Sequence, residues 1–161
     1  MTGKFWRQVV GKLNASFQDM APSNRNEKNC VLAIDDEEGF LGVLKAALES
    51  QGFMVHTASS PDVAIKLYEK FHRDIGMVLL DYLLPGMSGE LVFENLQRLN
   101  PNVRVVLLTG CEESVADQML KRGLRGYLQK PFNLPDLAQK VQDTLNAPVL
   151  ACSALPSPLR S

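Results

Sequence analysis

The chain has 161 residues, enough for one domain with a proper core and too few for two ordinary ones. A hydrophobic share of 45% beside 22% charged residues is that of a soluble globular protein, and a net charge of −1 points to neither a nucleic-acid nor a membrane partner. Cys30, Cys111 and Cys152 are scattered with no CxxC spacing, so they read as reduced thiols of a cytoplasmic protein rather than a zinc site or a disulfide framework. No apolar stretch approaches the roughly 20 residues of a membrane span. Arg7 and Lys12 interrupt the N-terminal apolar residues, so no secretory signal forms.

Three zones follow one another. Residues 1–29 are an N-terminal extension. Phe5, Trp6, Val9, Val10, Leu13 and Phe17 make a helical stripe weakened by Gly11 and Asn14. The polar, turn-rich stretch 21–29 reads as a linker. This extension is read three ways: poorly ordered chain, a helix docked on its own domain or a neighbour, or, least favoured, a membrane-surface helix. Residues 30–146 form the domain, and residues 147–161, with three prolines and little charge, are expected to be a disordered tail.

Within the domain, strands are predicted at Cys30–Ile34, Phe53–Ala58, Gly76–Leu80, Val103–Leu108 and Arg125–Gln129. Three of them are nearly continuous apolar runs, as in a parallel sheet covered on both faces. Helices are predicted between them. The first, Glu38–Ser50, puts Phe40, Leu41, Leu44, Ala47 and Leu48 on one face, with Gly52 just past its end. The second starts at Ser60-Pro61-Asp62, which supplies an N-cap, a proline at the first position and an acid in the first turn. The third carries Leu91, Val92, Phe93, Leu96 and Leu99 and stops before Pro101. The fourth spans Glu112–Arg122 and ends at Gly123, and the fifth follows Asn133 and runs to Asn146. A β-α order repeated five times implies an α/β fold, a doubly wound five-stranded parallel sheet with right-handed crossovers.

The polar residues of interest all follow strands, at what would be one edge of that sheet. Asp35 and Asp36 follow the first, Asp81 the third, Thr109 the fourth and Lys130 the fifth. In open α/β folds that edge is where ligands bind. Three carboxylates forced together repel one another and raise one another's pKa, and a divalent cation removes the repulsion. Oxygen ligands without histidine or cysteine favour Mg²⁺, which keeps water and phosphate ligands. A lysine and a hydroxyl opposite could bind the other oxygens of a phosphoryl group, and an aspartate can be the nucleophile that forms an acyl phosphate.

These residues carry a resemblance. The stretch Cys30–Asn146 resembles the receiver domain of two-component response regulators. The resemblance rests on Asp35-Asp36, on the segment Asp81-Tyr82-Leu83-Leu84-Pro85-Gly86-Met87-Ser88-Gly89, on Thr109 and on Lys130-Pro131-Phe132. It implies a flavodoxin-like (βα)5 fold like that of chemotaxis regulators. It implies that Asp81 accepts phosphate, and that Asp36, Asp81 and the Leu83 carbonyl bind Mg²⁺ directly, with Asp35 acting through water. Lys130 and Thr109 would contact phosphoryl oxygens, joined by the backbone N–H groups of Leu83 and Gly110. Thr109 and Tyr127 would form the switch, and the Lys130-Pro131 bond would be cis. Leu84 stands where methionine is common. Leu83 and Cys111 occupy positions that affect hydrolysis in the family, and neither can orient a water as a carboxylate or amide could.

Each residue also has an ordinary reading. Lys130 alone reads as a surface lysine, Thr109 as a strand-end turn residue, and Glu37 and Glu38 as an acidic first turn. Tyr127 reads equally as half-buried packing, Cys111 as a small semi-buried residue, and His56 and His72 as strand and helix-end residues. The ordered set favours a stand-alone receiver controlled by phosphorylation. Only fifteen residues follow Asn146, so output is expected through protein contacts and not through direct nucleic-acid binding. The expected partners are a histidine kinase or histidine phosphotransfer protein and a downstream protein, with dimerisation left open. The alternatives are a phosphorelay intermediate and a constitutive module that is not phosphorylated. The module is expected to take phosphate from donors and lose it slowly, without being a turnover enzyme.

Overall fold

Five strands and five helices alternate along the computed structural model, which describes residues 29–110 and 113–148. The stripe in residues 1–28, Cys111, Cys152 and most of the proline-containing tail lie outside the described residues. The elements are β1 (Cys30–Ile34), α1 (Glu38–Glu49), β2 (Met54–Ala58), α2 (Pro61–Phe71) and β3 (Ile75–Asp81). They continue as α3 (Gly89–Leu99), β4 (Val105–Thr109), α4 (Glu113–Lys121), β5 (Gly126–Gln129) and α5 (Leu134–Asn146).

All strands are parallel, in the order β2-β1-β3-β4-β5. The continuous apolar runs β1, β3 and β4 take the three central places and are almost wholly buried. The mixed sequences of β2 and β5 take the edges, where part of each strand meets solvent. The order therefore follows from how much apolar surface each strand must hide.

Alternation along the strands splits the core into two layers. Cys30, Leu32, Ile34, Val78, Leu80, Val105 and Leu107 face the layer containing Tyr68 of α2, Phe93 of α3 and Met119 of α4. Val31, Ala33, Met77, Leu79, Val106 and Leu108 face Leu44 of α1 and Val141 of α5. Three helices thus cover one face and two the other.

The starts of the helices follow their caps. Ser60 and Ser88 accept from the N–H groups of Val63 and Leu91, and Asn133 accepts from Asp136. Gly52 turns the chain out of α1 at φ +88°, a conformation that favours glycine. Several details differ from expectation. Val103 lies in a turn, its N–H donating to the Asn100 carbonyl, so β4 begins two residues later. Leu91 and Leu99 of α3 are exposed, and the helix docks through Val92, Phe93 and Leu96. Phe40 and Ala47 are only half-buried on α1, which docks through Leu41, Leu44 and Leu48. Among the described residues no helix is long and apolar enough to cross a membrane.

Candidate functional site

The three central strands end together, and each delivers a polar residue. Asp81 does not follow β3 but is its last residue, opposite Leu108 in the β4 register. Asp35 extends β1 by one backbone bond, its N–H donating to the Ala58 carbonyl at 3.2 Å. Thr109 closes β4 opposite Gln129, and its carbonyl accepts the Lys130 N–H at 2.7 Å. That bond fixes the lysine beside the strand ends, and the Lys130-Pro131 peptide is cis.

Side-chain parity then sorts these residues. Asp35 and Asp81 continue the alternation of Val31 and Ala33 and of Met77 and Leu79, so they belong to the face covered by α1 and α5. Thr109 and Tyr127 continue the alternation of Val105 and Leu107 and face the α4 side, where Tyr127 packs against that layer of the core. The acids and the switch candidates thus share one edge of the sheet but project to opposite sides of it. Thr109 is buried at 2% exposure, Gly110 is exposed, and the Leu83 side chain points to solvent at 64% exposure.

Lys130 joins the acids. Its Nζ donates to Asp35 Oδ2 at 3.0 Å and to Asp81 Oδ1 at 3.1 Å. The other Asp35 oxygen, Oδ1, accepts the Glu37 N–H at 2.9 Å, which ties that carboxylate to the start of α1. Asp35 and Asp81 are buried and Asp36 is exposed, and one carboxylate oxygen from each lies within 4.8 Å of the others.

Four charged groups in this space perturb one another. Burial pushes the Asp81 carboxyl above its usual range; Lys130 opposes that rise, and the charges of Asp35 and Asp36 add to it. Burial pulls Lys130 down, but the hydrogen bond to Asp35 and the charges of Asp35 and Asp81 outweigh it, and its pKa rises. The two directions are compatible because burial outweighs Lys130 at Asp81, whereas at Lys130 the two bonded carboxylates outweigh burial. The lysine gains from its neighbours, while Asp81 gains from the lysine and is repelled by two acids. Such a group of hard oxygen donors, with one member open to solvent, suits a divalent cation that retains water.

Residues 31–142 match the response regulator receiver domain family. The chain belongs to that family. It is 32% identical over 118 residues to the regulatory protein AtoC of Escherichia coli strain K12, covering 73% of this chain and 25% of AtoC. A receiver domain protein from Clostridium thermocellum superposes with a TM-score of 0.70 at 30% identity, covering 73% of this chain and 94% of that one. A response regulator from Burkholderia pseudomallei, crystallised with a phosphorylated aspartic acid, a calcium ion and citrate, gives 0.64 at 32% identity, covering 71% and 68%. The chain spans 12% to 52% of the length of the first three curated relatives it matches.

In this receiver domain two contributors to the site escaped the sequence reading. Phe40, assigned there to the core face of α1, meets Phe132 edge-on and lies beneath the Lys130 ammonium. Gly89 sits where a Cβ would fall 2.8 Å from both the Asp81 carbonyl oxygen and the Tyr82 Cα. Its place in the motif was a signal, but the atoms it must clear were not. Cys111, expected beside the site, lies outside the described residues. His56 of β2 stacks on Phe71 of α2, and His72 is the C-cap of α2, as ordinary strand and helix-end residues.

Proposed function

We propose that this receiver domain signals through phosphorylation of Asp81. The observation that carries the reading is the Lys130 ammonium bonded to Asp81 inside a cluster of three carboxylates at adjoining strand ends. An Asp81 oxygen attacks the phosphorus of a phosphohistidine on a histidine kinase or phosphotransfer protein. A P–O bond forms, the P–N bond breaks, and the imidazole nitrogen takes up a proton as it leaves. Small acyl or amido phosphates serve as donors in the same way. Lys130 is already within reach of the acceptor and pairs with an arriving phosphoryl oxygen through a charge-assisted bond. Asp35, Asp36 and Asp81, with the Leu83 carbonyl, would hold Mg²⁺, whose charge offsets that of the acids and the phosphoryl group.

Thr109 and the N–H groups of Leu83 and Gly110 complete the phosphoryl contacts. Movement of Thr109 toward the phosphoryl group lets Tyr127 follow on the same side of the sheet, and the α4–β5–α5 surface changes for a downstream protein. The domain works as a signalling module rather than a turnover enzyme. The test is mass spectrometry after treatment with phosphohistidine donor or acyl phosphate, with and without Mg²⁺. The parent protein gains one phosphate on the tryptic peptide holding Asp81, only with Mg²⁺. Unaltered labelling of Asp81→Asn would sink the assignment.

A further inference from the structure

Lys130 has a third neighbour besides its two carboxylates. Its Nζ lies over the face of the Phe40 ring, 5.0 Å from the centroid. The Phe40 ring in turn meets Phe132 at 6.1 Å between centroids and 65° between planes. Phe40 stands in the first turn of α1, just past the Asp35-Asp36 pair, and Phe132 follows the cis Lys130-Pro131 bond. The aromatic pair therefore links the loop that presents the acids to the loop that presents the lysine.

Packing alone does not account for a phenylalanine here. The docking of α1 rests on Leu41, Leu44 and Leu48, which are fully enclosed, whereas Phe40 is half-buried at the rim of that layer. An aliphatic side chain would cover the same rim. What an aliphatic group lacks is a negative ring face, and an ammonium within about 6 Å of a centroid is attracted to that face. The need is plain from the lysine itself. Its side chain remains 34% exposed on a flexible four-carbon stem, so water competes with both carboxylates for the ammonium.

We propose that Phe40 is a positioning residue, whose ring face holds the Lys130 ammonium over Asp35 and Asp81 while Phe132 fixes the tilt of that ring. The inference rests on the reading of Asp81 as phosphoacceptor. When a phosphoryl group arrives, the ammonium exchanges a carboxylate oxygen for a phosphoryl oxygen and keeps its contact with the ring. Phe40 does not touch the reacting atoms, and its effect passes entirely through Lys130.

The experiment replaces Phe40 in the full chain with mono-, di- and trifluorophenylalanine, which withdraw the negative ring face stepwise while nearly keeping the size. Phe40→Trp and Phe40→Leu accompany them. The rate of Asp81 labelling by a small amido phosphate is measured at saturating Mg²⁺, with the ring-current shift of the Lys130 ε-methylene protons as an independent readout. The rate falls in graded steps with fluorination, by about two- to fivefold in total. Phe40→Trp matches or exceeds the parent, and Phe40→Leu falls to the trifluoro level and loses the upfield methylene shift. A flat fluorine series, or a leucine variant as fast as the parent, overturns the proposal, because packing alone then suffices. Asp81→Asn is run beside the series. If it still labels, the acceptor reading falls and takes the positioning claim with it. If it is silent and the series is flat, only the claim about Phe40 falls.

Discussion

Alanine at Gly89 perturbs the acceptor strand from outside the site. The new Cβ would sit 2.8 Å from the Asp81 carbonyl oxygen, 2.8 Å from the Tyr82 Cα and 3.1 Å from the Tyr82 oxygen. Carbon contacts are comfortable at about 3.5–4.0 Å, so the backbone must give by several tenths of an ångström. These are main-chain atoms with little freedom. The Tyr82 N–H is bonded to the Leu108 carbonyl at 3.0 Å, and the Tyr82 carbonyl accepts from Gly89 itself at 2.9 Å. Overpacking of this kind costs about 1–3 kcal/mol. Gly42 is the reference, because it lies in the interior of α1 and a Cβ added there would meet nothing within 4 Å. Gly42→Ala carries only the helix-propensity gain of about 1 kcal/mol. Urea unfolding should therefore place Gly89→Ala below the parent or level with it, and about 1–3 kcal/mol or more below Gly42→Ala. Labelling of Asp81 should slow by up to about tenfold, a part of the roughly hundredfold cost of misplacing a reacting atom by a full 1 Å. If Gly89→Ala is as stable as Gly42→Ala and labels at the parent rate, the close approach does not constrain Asp81.

Mg²⁺ should raise the unfolding free energy, by about 2.7 kcal/mol at a hundred times its dissociation constant, and Asp36→Asn should lose most of that gain; equal thermal shifts in both proteins would remove Asp36 from the metal site. Burial, with Asp35 and Asp36, raises Asp81 above its unfolded value despite Lys130, so the folded chain binds that proton more tightly than the unfolded chain. Ionised Asp81 then subtracts stability as pH rises through the raised value; metal-free Asp81→Asn should be more stable than the parent at about pH 7 and lose that advantage at about pH 3, and a constant difference across this range would contradict the shift. Leu83 is exposed next to the end of β3 and offers no hydrogen bond to water, so Leu83→Asn should speed loss of phosphate from Asp81 several-fold, read as decay of the phosphoprotein. Identical decay in parent and variant would mean that this side chain does not orient the attacking water.

The architecture was legible because each strand states its own burial. Val31-Leu32-Ala33-Ile34, Met77-Val78-Leu79-Leu80 and Val105-Val106-Leu107-Leu108 can only be central strands, and the polar residues that follow or end them, Asp35, Asp81 and Thr109, mark one edge. Helix starts at Ser60 and Asn133 were equally plain, since a cap is a local bond. Contacts between distant segments were harder to read. Periodicity put Phe40 with Leu41 and Leu44 on one face of α1, but a ring at the rim of a face can turn toward a neighbouring loop, and Phe132 and Lys130 supply a better partner there than the core does. The Asp35–Lys130 bond joins residues 95 positions apart, and no local pattern announces it. Thr109 could be placed at the right edge and Tyr127 within the last strand from sequence, but the face they project from follows only from the register between β4 and β5.

The charge balance of the site explains why its parts belong together. Three carboxylates and one ammonium leave two negative charges in a space where two of the acids are buried. A single divalent cation matches that deficit, whereas a second lysine would not. In the proposed function, phosphorylation would exchange the carboxylate charge of Asp81 for the roughly two charges of a phosphoryl group, so the site would become more negative by about one. The added charge must be met by groups already in reach, because moving a new cation into a packed strand edge would disturb the core beneath it. Lys130 meets that requirement. Its backbone N–H is fixed to Thr109, its ammonium already contacts Asp81, and its stem is long enough to follow the charge outward. The same bond to the Thr109 carbonyl places Lys130 and Thr109 at adjoining strand ends on opposite sides of the sheet. A phosphoryl group drawing on both, as the proposed function has it, would couple the acid side, under α1 and α5, to the α4 side where Tyr127 packs.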